Sequence, residues 1–266
     1  MQFGAMNYPI RPVLEEIEVI GALGFDYFEL AMDPPEAHHE TLRQLSGDIQ
    51  AGLERYQMGL VCHLPTFIST ADLTASIRQA SRQELLASIE VAAHLGAQKA
   101  VLHPSCITGM GRNVPALAEK YARESLAEAV ASATHAKVDL CLENLFPQLT
   151  PFGSMDEWEQ RFTRYPHLGL TLDIGHAHIG PDGMKRILIF IQRFASRLRH
   201  LHVSDNFGRR DDHLPIGDGR IDFPTVAAAL RRICYQGGIT LEVFSENRDD
   251  LVDSRDRLKA MLSYVS

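Results

Sequence analysis

Short runs rich in apolar and β-branched residues alternate with longer amphipathic stretches about eight times along the chain. The pattern predicts strands over residues 2–6, 27–32, 59–64, 100–103, 139–144, 169–174, 198–204 and 239–244. Helical stretches lie between them, among them 76–95 and 116–136; in the first, Ile77, Leu85, Ile89 and Ala92 recur at helix-like intervals. Pro12 and Pro224 stand near the starts of the first and seventh helices, where a missing N–H costs little, and Asp222 is a candidate N-cap for the latter. Strands alternating with helices imply a parallel sheet. Eight such units without a Pro/Gly/Ser-rich boundary predict one closed (β/α)8 TIM barrel over residues 1–266. An open doubly wound sheet is the rival, but no GxGxxG follows the first strand.

The length of 266 residues suits one large barrel, and 45% hydrophobic with 23% charged residues is ordinary for a globular protein. A net charge of −8 argues against a nucleic-acid partner, because phosphate contacts reward basic surface. The N-terminus, MQFGAMNYPIRPVLEE, lacks a basic region followed by an apolar core, and no apolar run approaches the roughly 18 residues of a spanning helix. Cys62, Cys106, Cys141 and Cys234 are scattered without a CxxC pair, so reduced thiols and a cytoplasmic location are expected.

Chemistry gathers where such barrels place it, at the C-terminal strand ends. Those ends carry His63 (VCHLP), His103 (VLHPS), Glu143 (CLENL), Asp173 and His176 (TLDIGH), His202 (LHVSD) and Glu242 (LEVF). The loop after the seventh predicted strand, within LRHLHVSDNFGRRDDHLPIGDG, adds Asp211 and His213. A lone strand-end histidine is usually a packing residue. Glu143, Asp173 and Glu242, however, lie in apolar runs, where an unpaired buried carboxylate costs several kcal/mol. The only Lys or Arg in the predicted strands is Arg199, at the end opposite the mouth. A divalent metal held by carboxylates and imidazoles satisfies these acids together.

Other features carry bland readings beside functional ones. Gly217 and Gly219 make a turn or a phosphate cradle, and Glu29 either lines the mouth or makes a structural hydrogen bond. His200 shares a strand face with His202 one layer deeper, which favours a barrel-interior role. His178 extends the DIGHAH run onto loop surface, and Arg209 and Arg210 are solvated or contact an anion. Glu15, Glu16 and the arginines of 255–257 read as solvated helix faces, and Trp158 as helix packing.

LEN at 142–144, LDIGH at 172–176, HLHVSDN at 200–206 and DDHLPIGDGRIDF at 211–223 resemble the xylose-isomerase-like TIM barrels. That superfamily contains sugar isomerases and epimerases and also the endonuclease IV type of abasic-site nuclease. In the epimerase branch, the resemblance implies one divalent metal on Glu143, Asp173, His202 and Glu242. In the nuclease branch it implies three zinc ions, with His63, His103, His176, Asp211 and His213 as further ligands. The chain departs from the nuclease where that family probes DNA: HLPTFIST and the acidic, proline-containing FELAMDPPEAHHET replace the probing loops. It departs from the better-known ketose 3-epimerases in the longer loop carrying Asp211 and His213.

The expected function is therefore a divalent-metal-dependent isomerase or epimerase of a small sugar, polyol or sugar phosphate, working through a metal-stabilised enediolate. Glu143 and Glu242 would move the proton, and His176 and Arg210 would contact substrate. Manganese, cobalt, magnesium or zinc would serve, at one to three ions. The alternative is a multi-zinc phosphoester hydrolase resembling endonuclease IV. A small carbohydrate is the expected partner, a membrane is not, and a homo-oligomer stays open.

Overall fold

The computed structural model describes residues 1–147 and 154–263; the remainder of the domain expected over 1–266 lies outside the described residues. Strands β1 Gln2–Met6, β2 Tyr27–Ala31, β3 Gly59–His63, β4 Lys99–Leu102, β5 Asp139–Glu143, β6 Gly169–Asp173, β7 Leu198–Val203 and β8 Gly238–Leu241 run parallel. They close into a barrel in chain order, β8 pairing back to β1. Around it lie α1 Val13–Ala22, α2 His39–Gln44, α3 Ser46–Arg55, α4 Ala75–His94 and α5 Pro115–Ala136. The shell continues with α6 Met155–Arg164, α7 Ile174–His178, α8 Gly183–Arg193, α9 Phe223–Arg232 and α10 Asp249–Ser263.

Seven of the eight strands end short of the expected bounds. Met32, Leu64, His103, Asn144, Ile174, Ser204 and the stretch 242–244 fall just past the strand ends, although the N–H groups of Met32, Leu64 and Glu242 still bond the carbonyls of His63, Val101 and Val203. β4 begins at Lys99 rather than Ala100, so a second cation joins Arg199 in the strands. Both lie at the N-terminal edge, where Arg199 pairs with Asp139, so neither neutralises an acid at the mouth.

The two-residue strand period sorts side chains into layers. Outward-facing Phe28, Leu30, Cys62, Leu142, Leu172, Leu201 and Leu241 pack under the helices in the main core. Inside, Tyr27, Val61 and Val101 form a small apolar cluster of their own. Two residues further along the same strands stand Glu29, His63 and His103. By the same rule Cys141, His200 and Thr240 lie one layer below Glu143, His202 and Glu242. The mouth residues are thus the top layer of a packed interior.

Asp222 caps α9 by accepting from the Thr225 N–H at 3.1 Å, and Trp158 packs buried against Phe162 and Phe190. Glu16 corrects the solvated-face reading. It is 1% exposed, accepts from the Tyr8 N–H at 2.7 Å and is clasped by Arg248. Arg255 is likewise mostly covered and donates to the Leu23 carbonyl at 2.9 Å, whereas Arg257 lies on the exposed face and donates to the Ile216 carbonyl at 2.6 Å. Among the described residues, no helix is long and apolar enough to cross a membrane, and Cys62, Cys106, Cys141 and Cys234 are free.

Candidate metal centre at the barrel mouth

Glu143, fully buried at the end of β5, is the hub of the mouth. Its Oε2 lies 3.2 Å from His63 Nε2 and 3.1 Å from His103 Nε2. Its Oε1 lies 3.2 Å from His176 Nδ1 and 3.4 Å from His202 Nδ1. His202 Nδ1 is also 2.9 Å from Glu242 Oε1, and Asp173 completes a buried trio with those two residues. Asp211 spans the remaining pair, its Oδ2 standing 3.2 Å from His176 Nε2 and 2.8 Å from His213 Nε2. All nine expected ligand residues meet in one continuous group.

The second nitrogen of most rings is tied down, which fixes the nitrogen presented to the cavity. His63 Nδ1 bonds the Leu64 carbonyl, His176 Nδ1 that of Asn144 and His213 Nδ1 that of Glu242, each at 3.0 Å. Only an N–H can bond a carbonyl, so in each neutral ring Nε2 carries the lone pair. His202 is held the other way round: its Nε2–H donates to Glu29 Oε1 at 2.9 Å, leaving Nδ1 as the free lone pair. Glu29, 0% exposed, also accepts from His200 Nε2 at 2.8 Å and from the Thr240 hydroxyl. It therefore lies beneath the mouth as a support for His202, and His200 is the interior residue its strand position implies.

Glu143 Oε1 and His202 Nδ1 are both buried without a hydrogen bond. A lone-pair nitrogen facing two anionic oxygens is repulsive unless a cation lies between them. In the metal-free protein a proton takes that place. Burial opposes it, but Glu242, Glu29 and Glu143 together hold the His202 imidazole well above its ordinary pKa. His176 is raised likewise, against burial, by Asp173, Asp211 and Glu143. His213 is raised to about 9, its burial outweighed by Asp211. Burial raises Asp173 to about 7 despite His176, because Glu242, Glu143 and Asp211 crowd it with like charge. Burial also acts on Glu143, yet His103 and His202 keep it well below the usual carboxylate range. Mixed imidazole and carboxylate donors at these spacings fit a divalent ion of the zinc, manganese or cobalt kind.

Arg210 is not among these residues. Its side chain is 85% exposed and paired with Asp212. Arg209 is exposed beside it. His178 Nδ1 bonds Asn206 Oδ1 at 2.8 Å. The glycines of PIGDG cradle an anion, but an internal one. The Asp205 carboxylate accepts from the N–H groups of Asn206, Gly217, Gly219 and Ile221 at 2.8–3.1 Å. A Cβ on Gly219 would stand 2.3 Å from Asp205 Oδ1, so glycine is required for that approach. The loop that delivers Asp211 and His213 is pinned by this contact.

The closed parallel barrel with carboxylates and imidazoles converging at its C-terminal mouth is an α/β barrel carrying a candidate metal site where barrel enzymes place their active sites. The chain matches the model of the xylose isomerase-like TIM barrel over residues 17–262 and belongs to that family. An uncharacterized protein of Methanocaldococcus jannaschii is 26% identical over 275 residues, covering 100% of this chain and 91% of the relative. The L-ribulose-5-phosphate 3-epimerase UlaE of Shigella boydii is 22% identical over 262 residues, covering 94% and 90%. The crystal structure of a D-tagatose 3-epimerase-like protein superposes with a TM-score of 0.84 at 25% identity, covering 98% of this chain and 97% of the other. Two of these three carry sugar-epimerase or epimerase-like names.

Proposed function

We propose that this protein is a divalent-metal-dependent epimerase or isomerase of a small sugar, polyol or sugar phosphate. The observation that carries the reading is the pair of buried, unbonded ligand atoms, Glu143 Oε1 and His202 Nδ1, facing each other beside Asp173 and Glu242. The sugar epimerases among its relatives supply the substrate class. A divalent ion, when bound, supplies Lewis acidity that spreads the charge of an enediolate and makes the adjacent C–H acidic enough to remove.

The chain's own residues do the rest. Glu143 and Glu242 lie on either side of His202 Nδ1, and one takes the substrate proton while the other returns one to the opposite face. General acid–base work of this kind contributes typically about 10²–10⁴-fold. Asp173 and His202 orient the reacting oxygens, with His202 held by Glu29. His176, buried and fixed by the Asn144 carbonyl, positions a substrate hydroxyl. The test is hydrogen exchange: the metal-reconstituted chain, given ketoses in heavy water, incorporates deuterium, and Glu143→Gln and Glu242→Gln abolish it. Exchange persisting in both variants sinks the assignment.

A second reading rests on a specific observation. His63, His176 and His213 all spend Nδ1 on a backbone carbonyl and turn Nε2 toward Glu143 or Asp211. That orientation suits further ligands: these residues would hold additional ions, which would supply charge stabilisation for the hydrolysis of a phosphoester. The net charge of −8 disfavours a DNA substrate for it. Hydrolysis of a chromogenic phosphodiester by chain holding two or three zinc ions at the mouth selects this reading. Deuterium exchange with a single ion there selects the first.

A further inference from the structure

Outside the barrel, where α2 meets α4, His38, His39 and Glu84 bring one ligand atom each to a common point. His38 Nε2 lies 3.0 Å and His39 Nε2 3.1 Å from the same oxygen, Glu84 Oε2. The two rings stand side by side, 4.2 Å between centroids and tilted by 38°, with both Nε2 atoms aimed one way. We propose that this trio is a second metal site, separate from the mouth, for a single zinc-class divalent ion such as Zn²⁺ or Ni²⁺.

Two imidazoles and a carboxylate suit borderline ions and not the oxygen-loving Mg²⁺ or Ca²⁺. With bonds of roughly 2.0–2.2 Å, the edge of a zinc tetrahedron is about 3.3–3.5 Å. The observed N···O separations need to open by only a few tenths of an ångström. The Glu40 carboxylate stands near His38 Nδ1, its Oε2 at 4.0 Å, too far for a hydrogen bond as the side chains lie. Without an ion, Nδ1 accepts only a long 3.4 Å bond from the Glu40 N–H. Ligation would require the other neutral tautomer, with the proton moved from Nε2 to Nδ1; Nδ1 would then give up the bond from the Glu40 N–H and could donate to the Glu40 carboxylate instead. Side-chain exposures of 33%, 14% and 43% for His38, His39 and Glu84 leave an entry path and room for water as the remaining ligands.

The ion would join residues 46 positions apart, tying the segment after β2 to α4. That segment carries Asp33, whose carboxylate accepts from the Thr66 N–H at 2.9 Å, three residues beyond His63. The ion therefore steadies a loop on the rim of the mouth without touching the mouth itself.

The test uses full-length, metal-stripped protein titrated with Zn²⁺ and separately with Ni²⁺, with ions per chain counted after gel filtration. A His39→Ala/Glu84→Ala double variant is expected to hold one ion fewer than wild type. His39→Gln is expected to weaken that one site at least tenfold, and Glu143→Gln to leave it in place. The nitrogen NMR signals of the His38 and His39 rings should move on Zn²⁺ addition even in Glu143→Gln. Equal ion counts in wild type and a folded double variant overturn the proposal. So do His38 and His39 signals that stay still in Glu143→Gln, a readout that needs no surface variant to fold. Because the trio adds to the whole-chain count, ions at the mouth are to be counted in the double variant.

Discussion

Replacing Glu29 by Gln isolates the support beneath the mouth from the mouth itself. The carboxylate is wholly buried and takes three donors: His202 Nε2 at 2.9 Å, His200 Nε2 at 2.8 Å and the Thr240 hydroxyl. Burial opposes its charge, but His202 and His200 outweigh it and hold Glu29 well below the usual carboxylate range. Gln is nearly isosteric yet keeps a single acceptor oxygen and turns an NH₂ against one of the imidazoles. If the NH₂ meets His200, that ring can exchange tautomer, because its Nδ1 has no bond to lose. His202 then keeps an acceptor, but a neutral one. Its Nδ1 becomes a poorer donor to a metal, and a lost second-sphere carboxylate of this kind typically costs about 10–100-fold in metal affinity, or about 1.4–2.7 kcal/mol. The metal-free fold loses about 1–3 kcal/mol, the difference between charge-assisted and neutral hydrogen bonds. Competition against a chromophoric chelator reads the affinity, and urea unfolding in EDTA reads the stability. Thr240→Val removes a donor to Glu29 without touching His202, so it should lower stability and leave affinity near wild type. A Glu29→Gln variant that binds metal as tightly as wild type refutes the supporting role, whatever its stability.

Three further expectations follow from other contacts. His213 is raised to about 9 beside Asp211, so its share of stability is complete below the unfolded histidine value near 6.5 and is lost as pH rises through about 9. Metal-free wild type should thus lose about 3 kcal/mol across that window in urea unfolding relative to Asp211→Asn; parallel pH profiles count against the pairing. Asp205→Ala strands the N–H groups of Asn206, Gly217, Gly219 and Ile221. It should cost about 3–5 kcal/mol, at roughly 1–3 kcal/mol per unsatisfied buried group with water reaching some of them. Amide hydrogen exchange at those glycines should accelerate, and unchanged protection would show that the cradle is not held by Asp205. Burial pushes the Cys141 thiol up to about 12 and Cys62 higher still, whereas Cys234 is exposed. At pH 8 a chromogenic disulfide should label Cys234 rapidly and the two buried thiols only after unfolding. Above the unfolded thiol value near 8.5 each buried cysteine should subtract about 1.4 kcal/mol per pH unit from stability, since the unfolded chain ionises first. Rapid labelling of all four in the native state contradicts the burial.

What the sequence made legible follows from how far each physical cause reaches along the chain. An acid inside an apolar run announces its desolvation problem through its immediate neighbours. Glu143, Asp173 and Glu242 could therefore be picked out, and the two-residue period aimed them and their neighbouring histidines at one mouth. Strand ends fall one to three residues short of the expected bounds because apolar character continues past the paired residues, as at Leu64 and Ile174. Pairings between distant residues left no local mark. Glu29 looked equally suited to the mouth or to a structural bond, since its partners lie 171 and 173 positions away. Glu16 read as solvated because Arg248, which makes its burial tolerable, lies 232 positions away. Arg210 neighbours ligand-type residues in the sequence, and its local partner, Asp212 two positions on, holds it at the surface. The PIGDG turn was the recoverable case: a strand-end acid, Asp205, precedes the glycines by only 12 and 14 positions and was itself part of the conspicuous stretch. The same reasoning bears on the mouth's order of assembly. His202 receives its orientation from Glu29 on β2, and His213 receives its own from the backbone of Glu242. The set of Glu143, Asp173, His202 and Glu242 is therefore complete and oriented only once the barrel has closed, and binding of a metal to those four should report closure rather than precede it.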